Sequence, residues 1–204
     1  MDYLKKWLKQ WPVTVTLTGI TIAIFLFVDF LGPSTSGEHL LEFGACYTPW
    51  IIEDGQWYRI FASMFLHFGM EHLLNNMLVL LVLGTRLEPL MGHLPFALVY
   101  LLGGTGGNLV SLAYELRTEQ YAVSAGASGA VFSLMGAAVF ILLRDHGHVQ
   151  DLSSRQVLVM AAMSLYLGFA STGVDNAAHV GGLVCGFLLA LFLCRKRRVR
   201  KRND

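Results

Sequence analysis

The chain is 204 residues long, 54% hydrophobic and only 14% charged, with a mean hydropathy of +0.54 and a formal net charge of +1. So apolar a composition excludes an ordinary water-soluble domain and makes a lipid bilayer the expected solvent. The net charge itself says little, because it averages an acidic outer side against a basic inner one.

The opening "MDYLKKWLKQW" reads as a short amphipathic cytoplasmic segment, residues 1–12, lying along the inner surface until Pro12 turns the chain inward. Six apolar stretches follow, at about 13–31, 64–84, 94–113, 125–143, 157–171 and 177–194. A helix of ~20 residues spans ~30 Å of hydrocarbon, less when tilted or partly buried. Residues 13–194 therefore predict an all-α membrane protein, a bundle of six transmembrane helices. The longest connection, 32–63, carries Tyr47, Trp50, Trp57 and Tyr58, which read as interfacial anchors. In the third stretch "GGTGGN" (103–108) lets neighbouring backbones approach closely, a packing feature. We expect one compact membrane domain with no soluble appendage. No cleaved signal peptide is expected, since the first apolar run is long and no small-residue cleavage site follows it.

An even number of spans puts both termini on one side. Lys5, Lys6, Lys9, Arg86, Arg144, Arg155 and the seven basic residues of "RKRRVRKR" (195–202) fall on that side, against Arg59 and Arg117 opposite. Thirteen against two places both ends in the cytoplasm, and a multi-pass protein of the plasma membrane is expected. Directly after a last membrane helix, the basic tail 195–204 reads as an anchor at anionic lipid headgroups and not as a nucleic-acid site. Cys46 lies in the outer loop, while Cys185 and Cys194 stand ~13 Å apart along the last helix, so no intrachain disulfide is expected.

Polar side chains inside membrane helices are costly, so their position is informative. The second stretch opens with "FLHFGMEHLLNNM", placing His67, Glu71, His72, Asn75 and Asn76 in its first turns, with His72 and Asn76 on one face. The fourth opens with "SAGASG" and the sixth with "NAAHVGG". By alternation all three enter from outside, so His72, Asn76, Ser128 and His179 share one depth near the outer face. From Ser128 to Leu143 a helix rises only ~22 Å, which leaves Ser128 below the outer surface. His179, Gly182 and Gly186 form one helical stripe, and Ser128, Phe132 and Gly136 another. If the stripes face each other, their small residues bring hydroxyl and imidazole within hydrogen-bond reach.

Each signal has a plain structural reading: "GASG" as a packing surface, and the histidines and Asn76 as satisfied interhelical polar groups. Packing alone does not explain why all of them sit at one depth. Zinc held by His67, Glu71, His72 and His179 is a rival, but "HFGMEH" spaces its histidines five apart, on different faces of a helix, and no HExxH occurs. We therefore expect no metal or cofactor. Asp175, four residues before His179, has two readings, a carboxylate that orients the imidazole and a solvated loop charge, of which the second is favoured. A serine–histidine pair without a carboxylate is chemically sufficient, because pairing to a base is what activates the hydroxyl.

At these residues the chain resembles the rhomboid intramembrane serine proteases over nearly its whole length. The resemblance rests on "HLLNN" (His72 to Asn76), "GASG" around Ser128 and "AHVGGLVCG" from Ala178, in that order. "QWYR" with Arg59 resembles the family's Trp-Arg signature, and Glu88 matches a glutamate that secures helix contacts. The resemblance implies a short fourth helix surrounded by the others below a water-filled cavity. It implies Ser128 as nucleophile, His179 as general base, and an oxyanion hole from His72, Asn76 and the Ser128 N–H. Gly126 and Ala127 would shape the loop before the helix. The substrates would be single-pass membrane proteins. In several members a tyrosine stands four residues after the nucleophile; here Phe132 does, able to stack on the histidine but not to hydrogen-bond. The alternatives are a catalytically silent rhomboid-like protein that binds or escorts membrane proteins, and a transporter, which the confinement of polar groups to one depth disfavours.

Overall fold

A computed structural model describes residues 7, 9–145, 148–149, 152–153, 159, 162–163 and 173–194. Among them run α1 (Pro12–Leu31), the short helices α2 (Gly37–Glu42), α3 (Thr48–Ile52) and α4 (Arg59–Ala62), then α5 (Gly69–Met91), α6 (His93–Thr118), α7 (Ser128–Arg144) and α8 (Asn176–Leu193). A minimal antiparallel pair, β1 (His148–Val149) and β2 (Leu152–Ser153), follows α7. The architecture is an all-α membrane bundle. Four helices, α1, α5, α6 and α8, are long and apolar enough to cross a membrane, and α7 is a shorter apolar helix. Most of the stretch expected at 157–171, most of the amphipathic opening and the basic tail lie outside the described residues.

Helix ends follow local chemistry. Pro12 occupies the first turn of α1, where its missing N–H removes nothing. Between α5 and α6 a single residue, Gly92 at φ +89°, reverses the chain. The second helix begins at Gly69 and not near residue 64 as the hydropathy suggested, and it runs on to Met91. Leu66 is extended and Gly69 has φ +76°, which breaks the helix and leaves His67 in an irregular linker. The third helix likewise extends past 113 to Thr118, and the fourth starts at Ser128 after a loop.

The core is organised around α7. Ten consecutive residues, Gly129 to Ala138, are buried, which is the signature of a helix enclosed on every face. α8 packs most extensively against α7 and α6. The two predicted stripes face each other: a Cβ on Gly182 would collide with the Gly129 carbonyl oxygen, one on Gly186 with that of Ser133, and one on Gly136 with that of Leu183. The cluster in α6 packs in the same way, with Gly103 and Gly104 against Ser133 and Ala130.

At the far end of the bundle from Ser128, Glu88 is fully buried and accepts hydrogen bonds from Val13 N–H (3.0 Å), Thr14 N–H (2.8 Å) and Thr14 Oγ1 (2.6 Å). His93 Nδ1 lies 2.7 Å from Oε1, the oxygen that also accepts the Val13 N–H. A carboxylate of α5 thus satisfies first-turn donors of α1 and holds the two helices together.

Candidate active site

Ser128 is the first residue of α7, and the chain that delivers it is fixed at successive points. Ser124 pairs with Cys46 in a two-way backbone bridge (2.8 and 3.0 Å). The Gly126 N–H donates to the Ser63 carbonyl (3.0 Å), and the Ala127 N–H donates to His67 Nε2 (3.3 Å). Burial, with His72 beside it, pushes the His67 imidazole down to about 3, so it stays neutral and can accept that bond at physiological pH. Gly126 has φ +149°, and a Cβ there would stand 2.7 Å from the His72 ring, so only glycine fits the turn.

His179 is the fourth residue of α8 and only 7% exposed. Its Nε2 lies 2.8 Å from Ser128 Oγ. With Nε2 unprotonated, the serine hydroxyl donates along this line. Phe132, one turn below Ser128, stacks on the imidazole with ring centroids 4.4 Å apart and planes 17° from parallel. His179 Nδ1 is buried without a hydrogen-bond partner among the described residues, where the ring is held by the stack and the serine.

His72 and Asn76 stand one turn apart on α5 and line the same cavity of about 800 Å³ as Ser128 and His179. One amide hydrogen of Asn76 is used on the His72 carbonyl (3.0 Å), leaving the other available. Val79, Val131 and Met135 supply apolar wall. Of the residues singled out in the sequence, Ser128, His179, His72, Asn76, Gly126 and Phe132 meet here. Ala127 is buried directly behind, on His67. Gly182 and Gly186 act lower down, in the α7–α8 contact.

Arg59 and Glu88 are structural and lie away from the reacting pair. Arg59 is 4% exposed; its guanidinium donates to the carbonyls of Leu41 (2.8 Å) and Ala45 (2.9 Å) and to Gln56 Oε1 (2.7 Å), with the Trp50 ring 4.8 Å away. It ties the 32–63 loop to itself. For the rival zinc reading, no three His, Cys, Asp or Glu side chains converge among the described residues, and Glu71 is exposed.

Asp175 is not the solvated loop charge that the sequence suggested. It caps α8, its Oδ1 accepting the Ala178 N–H (2.9 Å), and its Oδ2 accepts the hydroxyls of Ser111 (2.6 Å) and Ser124 (3.0 Å). The signal was available, since aspartate just ahead of an apolar helical run is a preferred N-cap. The two serine partners come from distant stretches and carried no local signal.

The Rhomboid domain family model matches residues 54–196. The chain belongs to the rhomboid family. Among its relatives, Rhomboid protease GluP of Bacillus subtilis (strain 168) is 34% identical over 180 residues, 88% of this chain and 34% of GluP. Putative rhomboid protease YdcA of the same organism is 32% identical over 150 residues, 74% of this chain and 73% of YdcA. RHOMBOID-like protein 6, mitochondrial, of Arabidopsis thaliana is 36% identical over 166 residues, 80% of this chain and 52% of that protein. The rhomboid chain described here thus spans about a third of the length of GluP and about half of the plant relative. Family membership and the apolar helices make it a multi-pass membrane protein whose relatives include named proteases.

Proposed function

We propose that the protein is an intramembrane serine endopeptidase that cleaves single-pass membrane proteins in or near the outer part of their transmembrane segments. The observation that carries this reading is the 2.8 Å separation of Ser128 Oγ and His179 Nε2 inside a cavity walled by His72 and Asn76. Ser128 attacks the scissile carbonyl while its proton passes to His179 Nε2. The imidazolium then protonates the leaving amine, and the same base activates the water that releases the acyl-enzyme. The developing oxyanion is met by the Ser128 N–H, which is unsatisfied within the first turn of α7, by the free Asn76 amide hydrogen and by His72. Removing one such donor from a serine protease raises the barrier by roughly 3–4 kcal/mol.

In this reading both termini are cytoplasmic, the cavity opens to the extracytoplasmic side of the plasma membrane, and lipids contact the outer helix faces. The names of GluP and YdcA support proteolysis. The discriminating experiment uses the full chain in detergent or nanodiscs with a fluorophosphonate probe and a model transmembrane substrate. Ser128 is expected to be labelled, and Ser128→Ala and His179→Ala each to abolish cleavage while thermal unfolding stays near that of the parent. A folded parent that neither labels nor cleaves would make the silent, binding-only rhomboid the correct reading.

A further inference from the structure

Asp175 stands where three parts of the chain meet. Besides capping α8 through the Ala178 N–H, Asp175 receives at Oδ2 the hydroxyl of Ser111 from the C-terminal part of α6 and that of Ser124 from the loop ahead of α7. Ser124 is itself pinned to the outer loop by its backbone bridge to Cys46. The spacing is symmetrical: Ser124 precedes Ser128 by four residues, and Asp175 precedes His179 by four. One carboxylate therefore joins the segment that delivers the hydroxyl to the segment that delivers the imidazole.

The two helices need such a link at this end. Below the site, α7 and α8 are locked by the contacts of Gly182 with Gly129 and of Gly186 with Ser133. At the top both begin, and first turns lack intrahelical partners for their N–H groups. His179 lies within that weak turn, its own N–H bonded at 3.2 Å to the Asp175 carbonyl. Asp175 makes no hydrogen bond to the imidazole, since His179 Nδ1 has no hydrogen-bond partner among the described residues, so it is not a third member of a triad.

We propose that Asp175 is a positioning residue that sets the Ser128–His179 separation by clamping the entrances of α7 and α8 together. The inference rests on the protease reading above. A displacement of ~1 Å between reacting groups lowers turnover by up to about 100-fold, so the clamp is expected to act on kcat.

The test compares Asp175→Ala, Asp175→Asn, Ser124→Ala and the Ser124→Ala/Asp175→Ala double variant in the full chain. Measured quantities are kcat and KM on a model transmembrane substrate, thermal unfolding, and the Ser128–His179 distance in crystals. Asp175→Ala is expected to lower kcat about tenfold or more while KM stays within about twofold and the protein remains folded. Asn keeps a capping oxygen and can still bond both hydroxyls, so Asp175→Asn is expected to recover kcat to within about threefold of the parent. The double variant should be no worse than Asp175→Ala alone, the non-additivity that a shared contact requires. In crystals of Asp175→Ala the separation should exceed hydrogen-bond reach. An unchanged separation, a parental kcat in Asp175→Ala, or an activity loss matched by loss of folded protein would overturn the clamp. The crystallographic distance decides the matter even if the parent proves inactive, an outcome that would sink the protease reading on its own.

Discussion

The imidazole of His179 is held by very few groups. Its Nε2 meets Ser128, its Nδ1 meets no hydrogen-bond partner among the described residues, and Phe132 covers one face at 4.4 Å. Stacked aromatic contacts contribute about 0.5–1.5 kcal/mol beyond area burial, so the ring is a measurable part of what orients the base. Phe132→Leu keeps most of the apolar volume and removes the stack. It is expected to lower kcat about three- to tenfold with KM unchanged, read by steady-state cleavage of a transmembrane substrate. Phe132→Tyr keeps the stack and is expected to stay within about twofold of the parent. Equal turnover in the leucine variant would show that Ser128 and the backbone of α8 suffice to hold the ring.

At the scale of the helix, glycine decides whether α7 and α8 can come close enough. Gly186 faces the Ser133 carbonyl with no room for a side chain. Gly186→Val forces overpacking of the type that destabilises by roughly 1–3 kcal/mol, and it wedges apart the helices that carry Ser128 and His179. A lower unfolding temperature in detergent together with lost fluorophosphonate labelling is the expected result; unchanged labelling would mean that the helix pair tolerates a wider spacing. This contact was legible in the sequence, because i, i+3, i+7 spacing puts His179, Gly182 and Gly186 on one stripe whatever the surrounding fold. The start of α5 was not. Hydropathy continues smoothly through Phe65, Leu66 and Phe68, while the break is made by the backbone at Gly69, φ +76°. The consequence is local but functional, since it is the break that lets His67 turn back to the Ala127 N–H. Asp175 was misjudged for a related reason. Its charge is visible from sequence, whereas the hydroxyls of Ser111 and Ser124 that hydrogen-bond to it arrive from 64 and 51 residues away.

For the whole molecule, depth and direction are separate matters. The packing brings Ser128, His179, His72 and Asn76 to one end of the bundle, and Glu88 with the start of α1 to the other. Nothing in that packing says which end faces the cytoplasm; only charge does. In the proposed orientation thirteen basic residues fall on the inner side against two outside, and each opposes translocation of its loop. Two reporters on the full chain test it independently. Asp54, exposed in the 32–63 loop, is replaced by cysteine in a background where Cys46, Cys185 and Cys194 are serine, and intact cells are treated with a membrane-impermeant maleimide. A green fluorescent protein fused after Asp204 reports the other end, since it matures in the cytoplasm and not after export through the general secretory route. Labelling at position 54 together with green fluorescence is the expected pair. The opposite pair would turn the cavity toward the cytoplasm, so that any substrate would have to present the inner part of its transmembrane segment to Ser128.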